Sequence, residues 1–144
     1  MRAATREKNS GKGGFLQKIE PITVARTLTE ADSGKVFMLS NSTGSGYSIT
    51  LPTASTGVDG CHYKFIVEEE TPGHAITIAA GSAIISMVMK DAGGNASNST
   101  AGTQVSNVIV GATAQKGDYI NIMFTGGEYV AECMSAIDDA VTTS

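Results

Sequence analysis

Residues 118–134 read Asp-Tyr-Ile-Asn-Ile-Met-Phe-Thr-Gly-Gly-Glu-Tyr-Val-Ala-Glu-Cys-Met. Ile120, Ile122 and Phe124 recur at every second position, the period of a strand that buries one face. Gly126-Gly127 then interrupts the alternation, and glycines accept the positive φ that a two-residue hairpin turn demands. The stretch predicts a β-hairpin whose strands, Asp118 to Thr125 and Glu128 to Met134, pair with each other.

The same period runs outward from this hairpin. Cys61, Tyr63, Phe65 and Val67 alternate as cleanly, and from residue 22 onward a 3.6-residue helical period is hard to find. Further strands are expected at Ile22 to Leu28, Lys35 to Ser40, Tyr47 to Leu51, Cys61 to Glu68, Ala75 to Ala79, Ile84 to Lys90 and Val105 to Val110. Turn-forming segments such as Asp32-Ser33-Gly34, Thr43-Gly44-Ser45-Gly46 and Thr71-Pro72-Gly73 separate them. Asp91 to Gln104, 14 residues rich in Gly, Ala, Asn, Ser and Thr, is long for an internal loop and reads as a contact loop or a mobile one. Nine short strands without a convincing helix imply an all-β fold, a jelly-roll-like or β-sandwich body.

Charge divides the chain. The first 26 residues hold six basic residues against Glu7 and Glu20, a net +4, whereas the remaining 118 hold four Lys and twelve Asp or Glu, a net −8. Residues 1–21 are therefore expected to form an extended basic N-terminal arm, since Asn9-Ser10-Gly11-Lys12-Gly13-Gly14 offers little apolar surface to offset the entropy of ordering. The body is expected at 22–134 and a C-terminal tail at 135–144. Only 17% of residues are charged, against about 25% in ordinary domains, which suits β-sheet surfaces and subunit contacts. No apolar run reaches the roughly 18 residues that span a bilayer, and no signal-peptide core follows the basic start, so a cytoplasmic origin and no membrane partner are expected.

Parts for catalysis are scarce. His62 falls on the strand face opposite Cys61 and Tyr63, and His74 follows a Pro-Gly turn, so neither has a sequence partner. Cys61 and Cys133 match no metal spacing; they read as buried free thiols, with a disulfide between them the alternative. Glu68-Glu69-Glu70 and Asp138-Asp139 lack the oxygen-ligand spacing of a calcium loop. Ser10-Gly11-Lys12-Gly13-Gly14 lacks the earlier glycine, the following Ser or Thr and the preceding strand of a phosphate loop. The Asn41, Asn95 and Asn98 triplets are formal glycosylation acceptors that ordinary turn composition generates. The expectation is a protein that is not an enzyme, with no cofactor and no metal. A nucleic-acid partner for the arm is disfavoured by the acidic body, which leaves an anionic protein surface as the target.

Leu28-Thr29-Glu30-Ala31-Asp32-Ser33-Gly34-Lys35-Val36-Phe37, Ile49-Thr50-Leu51-Pro52, Gly60 with Tyr63-Lys64-Phe65-Ile66-Val67, Ile76-Thr77-Ile78 and Gly117-Asp118-Tyr119-Ile120 form a succession of strands and turns. Over Leu28 to Met134 this succession resembles the β-rich structural modules of tailed bacteriophages, notably capsid decoration (cement) proteins and related tail-fibre modules. Members often carry Trp in the closing strand, where this chain has Tyr129. The resemblance implies a structural virion protein on the outer surface of the capsid, commonly a homotrimer, that binds the major capsid protein and braces neighbouring subunits. In that setting Arg2, Arg6, Lys8, Lys12 and Lys18 would pair with shell carboxylates, and Phe15, Leu16 and Ile19 would be apolar anchors. The alternative for these three is an N-terminal strand packed on the protein's own sheet. An arm of roughly 20 residues reaches about 65 Å at about 3.3 Å per residue, enough to cross between subunits. The rival functions are a tail-fibre or receptor-binding module, recognising through Asp91 to Gln104, and a carbohydrate-binding domain, for which no aromatic platform stands out.

Overall fold

The chain alternates between two facing β-sheets, and that alternation sets the direction of neighbouring strands. The computed structural model describes residues 17–41, 44–55, 58–69, 73–81, 83–91 and 104–144. Strands β1 (Ile19–Ile22), β3 (Val36–Leu39) and β5 (His62–Val67) lie in one sheet, and β2 (Arg26–Thr27), β4 (Tyr47–Thr50) and β6 (Ile76–Ala79) in the other. A chain that crosses to the opposite sheet and returns has completed a turn, so it re-enters beside its predecessor in the same direction. Accordingly β1, β3 and β5 run parallel, as do β2, β4 and β6.

The second half of the chain closes this coil. Strand β7 (Ile85–Asp91) runs parallel to β11 (Glu128–Ser135), and the two-residue β8 (Gln104–Val105) pairs antiparallel with β7. Strand β9 (Asn107–Val110) lies antiparallel between β6 and β12 (Val141–Thr143). The expected hairpin, β10 (Tyr119–Thr125) with β11, fills the gap between β5 and β7. The result is a seven-stranded sheet, ordered β1-β3-β5-β10-β11-β7-β8, over a five-stranded one, ordered β12-β9-β6-β4-β2. Of the two architectures expected, this is the β-sandwich, with parallel pairs that a jelly roll of antiparallel neighbours lacks. The described residues include a 3-10 turn, Glu30–Asp32, and no α-helix.

The two-residue period explains the core. Tyr63, Phe65 and Val67 of β5, Ile120, Ile122 and Phe124 of β10, and Tyr129, Ala131 and Cys133 of β11 all face inward and are buried. They meet Ile49, Ile76, Ile78, Val108, Val110 and Val141 of the opposite sheet. Phe37 stacks on Phe65 with ring centroids 5.6 Å apart, and Phe124 meets Tyr129 edge-on at 4.9 Å. The hairpin turn adopts φ of 63° at Gly126 and 92° at Gly127, with Thr125 opposite Glu128, as a two-residue turn of this hand requires. At the hairpin's other end the buried Asp118 carboxylate accepts from the backbone N–H groups of Gln115 and Ala136, both at 2.8 Å.

Two expected boundaries are corrected. Residues 19–21, assigned to the arm, belong to β1, because their backbone pairs with β3 from Ile19 opposite Val36 to Ile22 opposite Leu39. Residues 135–144 are not a tail: Ser135 ends β11, and Val141–Thr143 forms β12 with Ala140 and Val141 in the core. The expected strand Ile22 to Leu28 divides into β1 and β2, because the chain changes sheets there, with Val24 exposed between the buried Ile22 and Leu28. Val105 to Val110 divides at Ser106, whose N–H donates to the Ser144 carbonyl at 2.9 Å.

Tyrosine hydroxyls tie strands to crossings. Tyr129 donates to the Pro52 carbonyl at 2.7 Å in a buried bond, and Tyr63 donates to the Thr29 carbonyl at 3.1 Å. Burial pushes both phenols up, Tyr129 to about 12, so they remain donors throughout the ordinary pH range. Tyr129→Phe strands the Pro52 carbonyl and should lower unfolding free energy by about 1–2 kcal/mol. An unchanged urea midpoint at the same slope would contradict this.

Candidate functional site

Two features stand out once side chains are placed: an ion cluster at the root of the N-terminal segment and an apolar outer face on the larger sheet. Of the residues expected to form the binding arm, Arg2, Arg6, Lys8, Lys12, Phe15 and Leu16 lie outside the described residues. Lys18 and Ile19 lie within them.

Strand β1 is the edge of the seven-stranded sheet, and its alternation points Glu20 and Ile22 toward the sandwich interior, opposite Phe37 and Leu39. A carboxylate facing an apolar edge needs partners. Glu20 receives Lys18 Nζ at 2.7 Å, Arg26 at 3.1 Å and Lys35 Nζ at 3.3 Å. Asp32, at the end of the 3-10 turn, receives Arg26 at 2.9 Å and Lys35 Nζ at 2.5 Å on Oδ1, while its Oδ2 accepts the Thr29 N–H at 3.0 Å. The Arg26 guanidinium lies 5.2 Å from the centre of the Phe37 ring and covers the edge of the core.

Lys18 takes part in this cluster while its side chain stays 68% exposed. Its ammonium pairs with Glu20 of its own chain, because positions 18 and 20 share one side of an extended segment. Ile19 follows the alternative stated for it, since β1 pairs with the protein's own sheet, yet its side chain points outward and is 64% exposed. Hydrogen bonding from Lys18, then from Lys35 and Arg26, outweighs desolvation and holds Glu20 down from its ordinary 4.5 to about 2. Burial alone would raise Asp32; the Lys35 and Thr29 hydrogen bonds and the Arg26 charge outweigh it and lower it.

The outer face of the larger sheet carries the second feature. Across β5, β10 and β11 the outward side chains form three rows: Ile66, Tyr119, Met134; then Lys64, Asn121, Glu132; then His62, Met123, Val130. Met123 is 45% exposed, Val130 40% and Met134 46%, and Val88 on β7 and Ile19 on β1 extend the apolar surface. Met123, Val130 and Val88 border an open groove of about 660 Å³. Half of its twelve lining residues are polar or charged: Gln17, Lys35, His62, Lys64, Asn121 and Glu132. Asn121 Nδ2 donates to Glu132 Oε1 at 2.6 Å, Lys64 Nζ lies 5.2 Å from the Tyr119 ring centre, and the His62 ring nitrogen is 3.3 Å from the Gly60 carbonyl. The sequence signal for this face was present: in the hairpin Met123, Val130 and Met134 occupy the positions between core residues, where a solvated sheet would carry charge.

The remaining candidates disperse. His62 is exposed on the outer face, as its strand phase requires, and His74 offers its backbone carbonyl to Asn41 Nδ2 at 3.3 Å. Cys61 and Cys133 are buried free thiols, without the alternative disulfide, and burial pushes Cys133 up to about 12. Asn41 is fully buried, so the first glycosylation triplet has its acceptor inside; Asn95, Asn98, the loop 92–103 and the glycine-lysine stretch 10–14 lie outside the described residues. Among the described residues no three His, Cys, Asp or Glu side chains converge as metal ligands, and no helix is long and apolar enough to cross a membrane.

No protein-family model and no curated protein matches this chain.

The ion cluster has a pH signature. Because the folded value of Glu20 lies below the unfolded one, its contribution to stability is complete above about pH 4.5 and is lost as pH falls toward about 2. Melting temperature should therefore drop across that window, and Glu20→Gln should be less stable at neutral pH with a shallower acid slope. An acid slope identical to wild type in Glu20→Gln would contradict the assignment.

Proposed function

We propose that this protein is a structural component of a phage particle, a capsid decoration (cement) protein that attaches to the outer surface of the head and braces neighbouring major capsid subunits. The observation that carries the reading is the separation of charge after the ion cluster is accounted for. Lys18 and Arg26 are engaged with Glu20 and Asp32. Residues 1–16 still hold Arg2, Arg6, Lys8 and Lys12 against Glu7 alone, joined to an acidic body. A cationic segment rooted at a clamped edge strand suits an anionic protein surface, while the acidic body opposes a polyanion such as DNA. Phe15 and Leu16 supply apolar anchoring, since exposed ion pairs contribute only about 0–1 kcal/mol each.

The variant Arg2→Glu, Arg6→Glu, Lys8→Glu, Lys12→Glu tests this reading. It should melt like wild type, because the four positions precede the ion cluster, yet fail to co-sediment with emptied heads. Moderate salt should weaken wild-type attachment only in part, because apolar contacts share the anchoring. Full occupancy by the reversed variant, or immunogold labels confined to tails, would reject head decoration.

A further inference from the structure

We infer that the outer face of the seven-stranded sheet is an isologous interface at which a second copy of this chain docks, related by a two-fold axis that runs parallel to β10 between the two faces. The inference is independent of the shell reading, because it concerns the free protein in solution.

Two observations and one general packing geometry carry it. First, the face is apolar along several strands: Ile66 and Met134 flank Tyr119, Val130 flanks Met123, and Val88 and Ile19 continue the surface. Several large apolar side chains exposed on one sheet face, on either side of a single polar row, are surface that a partner can bury. Second, its charges are placed for a copy of itself. Lys64 and Glu132 sit on opposite sides of Asn121 in one row, one strand to each side of β10. A half-turn about that axis keeps every row in register and exchanges the flanks, so Lys64 of each copy meets Glu132 of the other. Among the described residues Lys64 forms no ion pair and Glu132 bonds only to Asn121, so both have capacity for that contact. Third, the geometry is that of ordinary aligned sheet packing, with faces about 10 Å apart and strands within about 30° of each other. Met123 then faces Met123 of the second copy, and Ile66 faces Met134.

The size is adequate. Six strands from β1 to β7, about 4.8 Å apart and roughly six residues long, give a footprint on the order of 600 Å². A standard stable interface buries about 800 Å² per partner, so the expected dimer forms at micromolar rather than nanomolar concentration. A two-fold contact also follows from the face itself: one patch that complements itself makes a closed pair, whereas a three-fold ring joins two different patches.

Sedimentation velocity of the full chain over micromolar concentrations is the test. Wild type should be a concentration-dependent dimer. Glu132→Lys sets two ammonium groups against each other across the interface, Lys64→Glu sets two carboxylates together, and each should weaken dimerisation about tenfold or more. The double variant Lys64→Glu, Glu132→Lys should regain it, which a merely structural role for either residue would not produce. Met123→Lys, which brings like charges together on the axis, provides a second disruption should a flank variant fold poorly, and melting curves identify that case. A monomer at all concentrations, as when residues 1–16 of the same chain cover the face, would overturn the inference. So would a trimer, or a dimer indifferent to all three single substitutions.

Discussion

A carboxylate turned toward an apolar interior must be met by cations, and here that requirement organises the N-terminal quarter of the domain. Glu20 points inward from an edge strand beside Phe37, and its charge is sustained by Lys18, Arg26 and Lys35. The same Arg26 and Lys35 also hold Asp32. One cluster thus joins β1, the start of β2, the 3-10 turn and the entry to β3, and it seals the core where the coil begins. It adds to the backbone pairing that holds β1 on β3, since only Ile22 of the strand's four side chains is buried. The edge is further guarded by Pro21, which cannot donate to an added strand.

The larger sheet has two apolar faces that serve different ends. Its inner face packs the aromatic core, with Phe37, Phe65, Phe124 and Tyr129 in contact across strands. Its outer face sets exposed apolar side chains, Met123, Val130 and Met134 among them, on either side of a polar row, and places one cation and one anion symmetrically about β10. Because side chains alternate, a single hairpin supplies both faces, and substitutions at odd and even positions of β10 separate stability from association.

Much of the fold was readable from residue order. The hairpin from Asp118 to Met134 was explicit in Ile120, Ile122, Phe124 and the Gly-Gly turn, and the interior strands from Lys35 to Val110 follow from the same alternation. What was hidden has physical reasons. Lys18-Ile19-Glu20-Pro21-Ile22 shows no apolar alternation because its inward positions are Glu20 and Ile22, one of them charged. Val141-Thr142-Thr143 is too short to show a period. Alternation also tells which face a residue takes but not which strand lies beside it, so the parallel coil could not be read. As for the candidate site, Lys18 looked like arm charge because its partner is an acidic residue two positions away on a strand that was not foreseen. The outer face was visible as Met123, Val130 and Met134 but was masked by the stronger core pattern in the same segment.

Amide hydrogen exchange tests the central claim, that the ion cluster fastens β1 to the sheet. The Val36 N–H donates to the Lys18 carbonyl at 2.9 Å and the Ser40 N–H to the Ile22 carbonyl at 3.2 Å, so these two amides report on β1 directly. They should be protected in wild type at neutral pH and lose protection in Glu20→Gln, while the β10–β11 amides stay protected in both. Equal protection of Val36 and Ser40 in the two proteins would show that β1 holds without the cluster and would contradict the account.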